Sequence, residues 1–430
     1  MTNKDLDIIN ITPDMSIQEA VNSARVGSTI ILSAGEYMGK GNSNIRINKE
    51  NLTIKGVEEG NVVINAKSRR SNIFSINGEN TTLENLIITG SNGVNSAVMI
   101  KSKNNTIKKC IFKNNTIEGT DGFGGAIYNR ESDLFVKQST FENNKAEISG
   151  GAIANGNGNL TLIKSIFTNN TAQISGGGIS NGKGDLTIKE SIFTDNTADI
   201  GGAVANSIAN LIVMDSKFVS NTVTKVGGAI FNDDGVSNVS ESTFKDNKSK
   251  IGAGAIFNND GDFTVKKSIF ISNTTQEHGG AIANGSDAYL TVLNSTFNNN
   301  IAIQVGGAIL NSDDGELSVL DSTFTDNTAK RHGGAIMNSG DAVLAIKGST
   351  FTGNRSEEDG GAIDNGGDLN VSKSVFTNNT ASQFDEAINN EGISTVKKST
   401  FTNNSILNDG EVITENCNSN GIVVKDSIFS

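Results

Sequence analysis

Tryptophan is absent from the 430-residue chain, proline occurs once, cysteine twice and tyrosine three times. With aromatics at 5% and apolar residues at 35%, the side chains are too small for an ordinary globular core, and the thin core of a repeat array fits better. A single proline leaves almost every backbone N–H available, as expected where each strand amide is needed by a neighbour. Cys110 and Cys417 lie far apart and match no CxxC or Cys/His spacing, which excludes a disulfide framework and a zinc site of familiar spacing. No run of about 18 apolar residues occurs, so no helical span and no direct membrane insertion by this segment is expected. Met1–Asn10 also lacks the basic-then-apolar layout of a secretory leader, and the expectation is a mature segment carrying an added Met. The net charge of −12 disfavours nucleic acid and anionic membranes as partners, because either calls for a basic patch.

What is present is a repeat, and it replaces the two or three domains that the length would otherwise suggest. Phe recurs about every 26 residues, at 112, 141, 167, 193, 218, 244, 270, 297, 324, 351, 376, 401 and 429. All but the last have Asn three residues later, and twelve have Ser two residues earlier. Between successive Phe lies Gly-Gly-Ala-Ile-x-Asn, whose Asn forms a second column that includes Asn155, Asn181, Asn206, Asn232, Asn258 and Asn284. Residues two apart share a face of a strand. Leu186 with Ile188, Ser191 with Phe193, and Ile179 with Asn181 therefore define three short strands separated by corners. The spacing predicts an all-β parallel β-helix with three strands per coil, in which columns of the sequence become ladders in space. Phe141, Phe167, Phe193, Phe244, Phe270, Phe297, Phe324 and Phe351 are expected inside, and the Asn columns at hydrogen-bonded corners. The chain is read as one β-helix domain, with a cap and irregular coils over 1–105 and regular coils over 106–430. Ser16 to Val21 reads as a short helix, with Ser16 as N-cap and Glu19 three residues on, plugging the first coil. The chain stops just after Phe429, so a longer protein, or a cover for the open C-terminal end, is expected.

The paired motifs Gly124–Asn129 and Gly333–Asn338, alternating with Phe-x-x-Asn from Phe112 to Phe429, resemble the repeat of chlamydial polymorphic outer-membrane proteins and of adhesin-like β-helix proteins of methanogenic archaea. The leader Ser16–Ala20 followed by Gly27–Ile30 is similar to the entry coil of pectin-lyase-like folds. The resemblance implies a right-handed β-helix displayed at the cell surface or outside it, a stalk or passenger that adheres to a host or neighbouring-cell glycan or protein. The motif decays at Asp385–Ile388 and Gly410–Ile413, as terminal repeats often do.

No catalytic or metal-binding residue and no cofactor is expected. Asp195, Asp246 and Asp326 share the position before the corner Asn but lie two or three coils apart, too far for most carboxylate pairs. Asp133, Asp185, Asp262 and Asp368 are explained by turns. His278 and His332 each precede a Gly-Gly pair, two coils apart, and read as single surface histidines. A possible binding face is the outward side of the Phe strands, where Thr168, Thr194, Thr323, Thr325, Thr350, Thr352, Thr377, Thr400 and Thr402 gather. Plain β-propensity explains such residues equally well. Read as function, they form a flat surface for glycan, protein or a second solenoid, so self-association through this face or the open C-terminal end is expected. A polysaccharide lyase or glycoside hydrolase is the alternative, and an ice-binding solenoid the minor one. Sequons at Asn159, Asn238 and Asn273 would accept glycan on export.

Overall fold

The computed structural model describes residues 7–67, 72–119, 122–382, 386–419 and 424–426. It is an all-β right-handed parallel β-helix with about 26 residues per turn, three main sheets, a short fourth sheet and one helix. Phe429, Ser427 and Asp385 lie outside the described residues. Contacts divide the chain into two units, Met1–Asn210 and Leu211–Ser430.

One coil of the first unit shows how the sequence folds. Strands run over Ile153–Asn155, Leu160–Ile163, Ile166–Thr168 and Thr171–Ala172, called below the glycine-block, leucine, phenylalanine and short strands. The main strands pair in parallel with counterparts 26 residues on, so Ile153 meets Ile179, Leu160 meets Leu186 and Phe167 meets Phe193. The second unit repeats the pattern in Ile282–Asn284, Tyr289–Leu293, Thr296–Asn298 and Ile301–Ala302. The short strand is an addition to the expected three. It forms because the segment after the corner Asn stays extended and turns a small side chain inward, as Ala172 and Ala302 do.

Corners are set by left-handed residues. The position after each phenylalanine strand has φ near +54°, at Asn169, Asp195, Asp246, Ser272, Asn299 and Asp326. Asn and Asp tolerate this conformation best after Gly, which accounts for the aspartates there without a catalytic role. The first glycine of each block also has positive φ, 69° at Gly150. The second is needed for closeness instead, since a Cβ on Gly151 would lie 2.1 Å from Gly177 O and 2.6 Å from Thr171 N of the next coil.

The phenylalanines line up inside. In the first unit Phe112, Phe141, Phe167 and Phe193 stack with centroids 4.6–4.9 Å apart and planes within 9°. In the second, Phe218 to Phe401 stack at 4.7–4.9 Å within 6°. Near-parallel rings at that separation are laterally offset, the favoured arrangement for their quadrupoles. At the first coil the helix spans Ile17–Ser23 and buries Ile17, Ala20 and Val21. Ser16 Oγ accepts from Glu19 N at 3.1 Å, while the Ile17 amide is capped by Asn42 Oδ1 at 2.8 Å.

Candidate functional site

Both Asn columns are buried and hydrogen-bonded in series. In the glycine-block column of the first unit, Asn155 Nδ2 donates to Asn181 Oδ1 and Asn181 Nδ2 to Asn206 Oδ1, at 2.7 and 2.8 Å. Each also caps a turn carbonyl, at Gly158, Gly184 and Ala209 respectively for Asn155, Asn181 and Asn206. In the second unit Asn232 reaches Asn258 at 3.0 Å and Asn258 reaches Asn284 at 2.9 Å. These residues hold coils together and present nothing to solvent.

The outward threonines form two groups, one in each unit. Thr168 and Thr194 are register partners in the first unit. In the second, Thr323, Thr350 and Thr400 share one row with Val375, and Thr325, Thr352, Thr377 and Thr402 form the other. Thr323 and Thr402 are exposed and the rest half-buried. Alternation with inward Phe puts two such rows on one sheet face, separated along the strand by two residues and repeated at each coil.

Column counting missed a second feature. His332 is not solitary: Nε2 lies 3.2 Å from Glu358 Oε2, and Nδ1 lies 3.2 Å from Asp364 Oδ2 and 3.4 Å from Asp359 Oδ2. Asp364 is nine-tenths buried and accepts from Asn389 Nδ2 at 2.9 Å. The Asp364 carboxylate beside Nδ1 raises the imidazole pKa against the opposing effect of burial, with Glu358 and Asp359 adding charge attraction. Burial pushes the Asp359 carboxyl up, and the neighbouring Asp364 adds to it. His278 shows the opposite balance: burial lowers its pKa, although Glu277 Oε2 stands 3.7 Å away.

Glu386 completes this cluster for a structural reason. It occupies the second-glycine position, pairing across from Gly361 through Gly361 N to Glu386 O at 3.0 Å. In the regular coils, from Gly125 to Gly361, that position is Gly, against which the next coil's short strand presses. Here the next coil is truncated, since Asn390 bonds Asn408 only 18 residues on, and a long side chain fits. Glu386 is fully buried, its Oε1 accepts from Gly360 N at 3.1 Å, and Oε2 has no partner among the described residues. Burial raises its pKa, with Asp359 and Asp364 contributing in the same direction. The sequence signal was the replacement of Gly-Gly by Asp385-Glu386, which reads as simple decay until the coils are aligned. Among the described residues no group of three or more His, Cys, Asp or Glu side chains is arranged to hold a metal ion.

The sequence model described as "Right handed beta helix region" matches residues 71–244. The repeat described as "Chlamydia polymorphic membrane protein (Chlamydia_PMP) repeat" matches 321–339 and 348–366. The chain is a right-handed β-helix that carries polymorphic membrane protein repeats at 321–339 and 348–366. Each matched repeat contains one Phe-x-x-Asn corner and its Gly-Gly-Ala-Ile block. No curated protein matches the chain. Among solved structures, a mannuronic acid specific polysaccharide family 6 lyase from human gut microbiota is similar over 86% of this chain and 87% of its own, with TM-score 0.51 and 10% identity. A PL6 alginate lyase in complex with a trisaccharide is similar over 96% and 87%, with TM-score 0.40 and 11% identity. At such identity the first of these likenesses agrees with the β-helix fold and shows nothing about chemistry. Among the described residues no helix is long and apolar enough to cross a membrane.

Proposed function

We propose that this repeat β-helix is a surface-displayed adhesive scaffold whose flat threonine-bearing sheet contacts a glycan or protein of a neighbouring cell. The carrying observation is the double row Thr323, Thr350, Thr400 and Thr325, Thr352, Thr377, Thr402, held in register by the buried Phe ladder. The polymorphic membrane protein repeats support display at a cell surface. A rigid, repeating array suits many weak contacts, whose sum grows with the number of coils engaged. The test is attachment of the purified chain to cells and to immobilised glycans. Thr325→Lys with Thr352→Lys, which add charge without entering the core, should abolish attachment; unchanged attachment by this variant refutes the reading. Ice binding by the same face would instead appear as thermal hysteresis that the same substitutions remove.

A second reading is favoured by one observation, the convergence of His332, Asp359, Asp364 and buried Glu386. A buried carboxyl whose pKa is pushed up, set close to other carboxyl groups, is the kind of arrangement that acid–base glycan cleavage uses. Release of reducing or unsaturated sugars, lost in Asp364→Asn, would support it; no release from a broad polysaccharide panel excludes it.

A further inference from the structure

A cavity of about 270 Å³ opens in the first unit beside the glycine-block strands. Met99 and Tyr128 are register partners at the outward middle position of two successive strands. Phe123 occupies the position before Gly-Gly, bridged to Ser149 of the next coil, and its ring lies against Tyr128 with centroids 6.0 Å apart and planes 29° apart. The counterparts of Tyr128 and Phe123 one coil on are Ala154 and Ser149, so bulky rings meet short side chains there. Ile117, 2% exposed, lines the apolar side, and Asn95 and Arg130 supply polar groups. Arg130 is exposed, and its guanidinium has no ion-pair partner among the described residues. The nearby Glu147 carboxylate is engaged by the Gly119 amide.

We propose that this cavity binds one carboxylated pyranose of a surface glycan, a second contact that rests on the adhesive function above and lies apart from its threonine face. Apolar lining with a few convergent polar groups is the usual composition of a small-molecule site, and this volume falls below the usual range, which selects one ring over a chain segment. The C–H face of a sugar packs on Tyr128 and Phe123, whose rings offer large rigid area with a hydroxyl at the edge. Tyr128 Oη makes no hydrogen bond among the described residues and is free for a sugar hydroxyl. Arg130 is the charged group lining the cavity, and its planar fork matches a carboxylate with two parallel N–H donors. The protein's net charge of −12 repels anions in general, so recognition must come from this local pair and should weaken with salt.

The experiment is calorimetric titration of the full chain with methyl glucuronide, methyl N-acetylneuraminide and, as the uncharged comparison, methyl glucoside. One of the two acids should bind saturably and at least about tenfold more tightly than methyl glucoside, the scale of a charge-assisted pair; which acid does so separates the two sources. Arg130→Gln should erase that preference with unchanged thermal stability, because the side chain is exposed, and Tyr128→Ala should weaken all sugar binding. Equal binding of methyl glucoside, binding that survives Arg130→Gln, or no saturable binding by either acid overturns the proposal. Cell attachment that persists in Arg130→Gln, with no binding of either acid by the parent chain, sinks this site and leaves the adhesive reading standing. Binding of an acid without any cell attachment does the reverse.

Discussion

Replacing Asn300 by Ala tests how much of the fold rests on the corner ladder rather than on the apolar interior. Asn300 Oδ1 accepts from the backbone N and the Nδ2 of Asn273 in the preceding coil, at 3.0 and 2.9 Å. Its Nδ2 donates to Phe270 O at 3.0 Å and to Asn327 Oδ1 at 2.9 Å. One side chain thus joins three coils, and four hydrogen bonds vanish with it, whereas the Asn300 amide to Asn327 Oδ1 remains. At about 1 kcal/mol net per bond, with about 1–3 kcal/mol more for the Asn273 amide left buried and unpaired, the loss should be about 5–7 kcal/mol. Solenoid coils contact only their neighbours, so the damage should be local. Hydrogen exchange is the suitable assay: amides of Asn273, Asn300 and Asn327 should lose at least roughly a hundredfold of protection, at 1.36 kcal/mol per factor of ten. Asn300→Asp should be worse at pH 7, because its second oxygen faces two acceptors, Phe270 O and Asn327 Oδ1. Burial and these acceptors raise that carboxyl's folded-state pKa above the unfolded value. Stability of this variant is therefore retained below the unfolded value and lost as pH rises through the folded one. A loss below about 1 kcal/mol for Asn300→Ala, or loss of protection spread evenly along the whole chain, would refute the ladder argument.

Three other outcomes are expected. Gly228→Ala should destabilise more than Gly227→Ala, because the new Cβ would lie 2.0 Å from Gly254 O of the next coil; the Gly227 column already tolerates Ala253 at φ 57°, which limits that cost to about 1–2 kcal/mol of left-handed strain, and equal melting temperatures for the two variants would contradict this. The coils around His332 should be more protected from exchange at pH 5 than at pH 8. His332, Asp359 and Glu386 all have raised folded-state values, so each contributes stability at low pH that is lost as pH rises through the folded value; a flat profile, or one unchanged by His332→Gln, would count against it. Expressed in a glycosylating host, Asn159, which is exposed, should carry glycan and Asn273, which is fully buried, should not; peptide mapping that finds glycan on Asn273 would mean the coil is inside out.

The repeating motif was enough to specify the coil. Side-chain alternation puts Phe193 inside and Thr194 outside whatever lies elsewhere in the chain, and a period near 26 stacks like on like because parallel strands sit at a fixed spacing. The left-handed corners were legible only in part: Asp195 and Asp246 read as corner positions, but their common φ needed coordinates. The His332 cluster and the Phe123–Tyr128 cavity were invisible for a different reason. Each joins residues that break the repeat, and a departure has no partner until the register shows which coil lies above it. His332 meets Asp364 because two columns face one another one coil apart, and Glu386 fits a glycine's place because the following coil is shorter. Periodicity determines the average coil; the contacts between its exceptions, where a site can form, are decided by how coils stack.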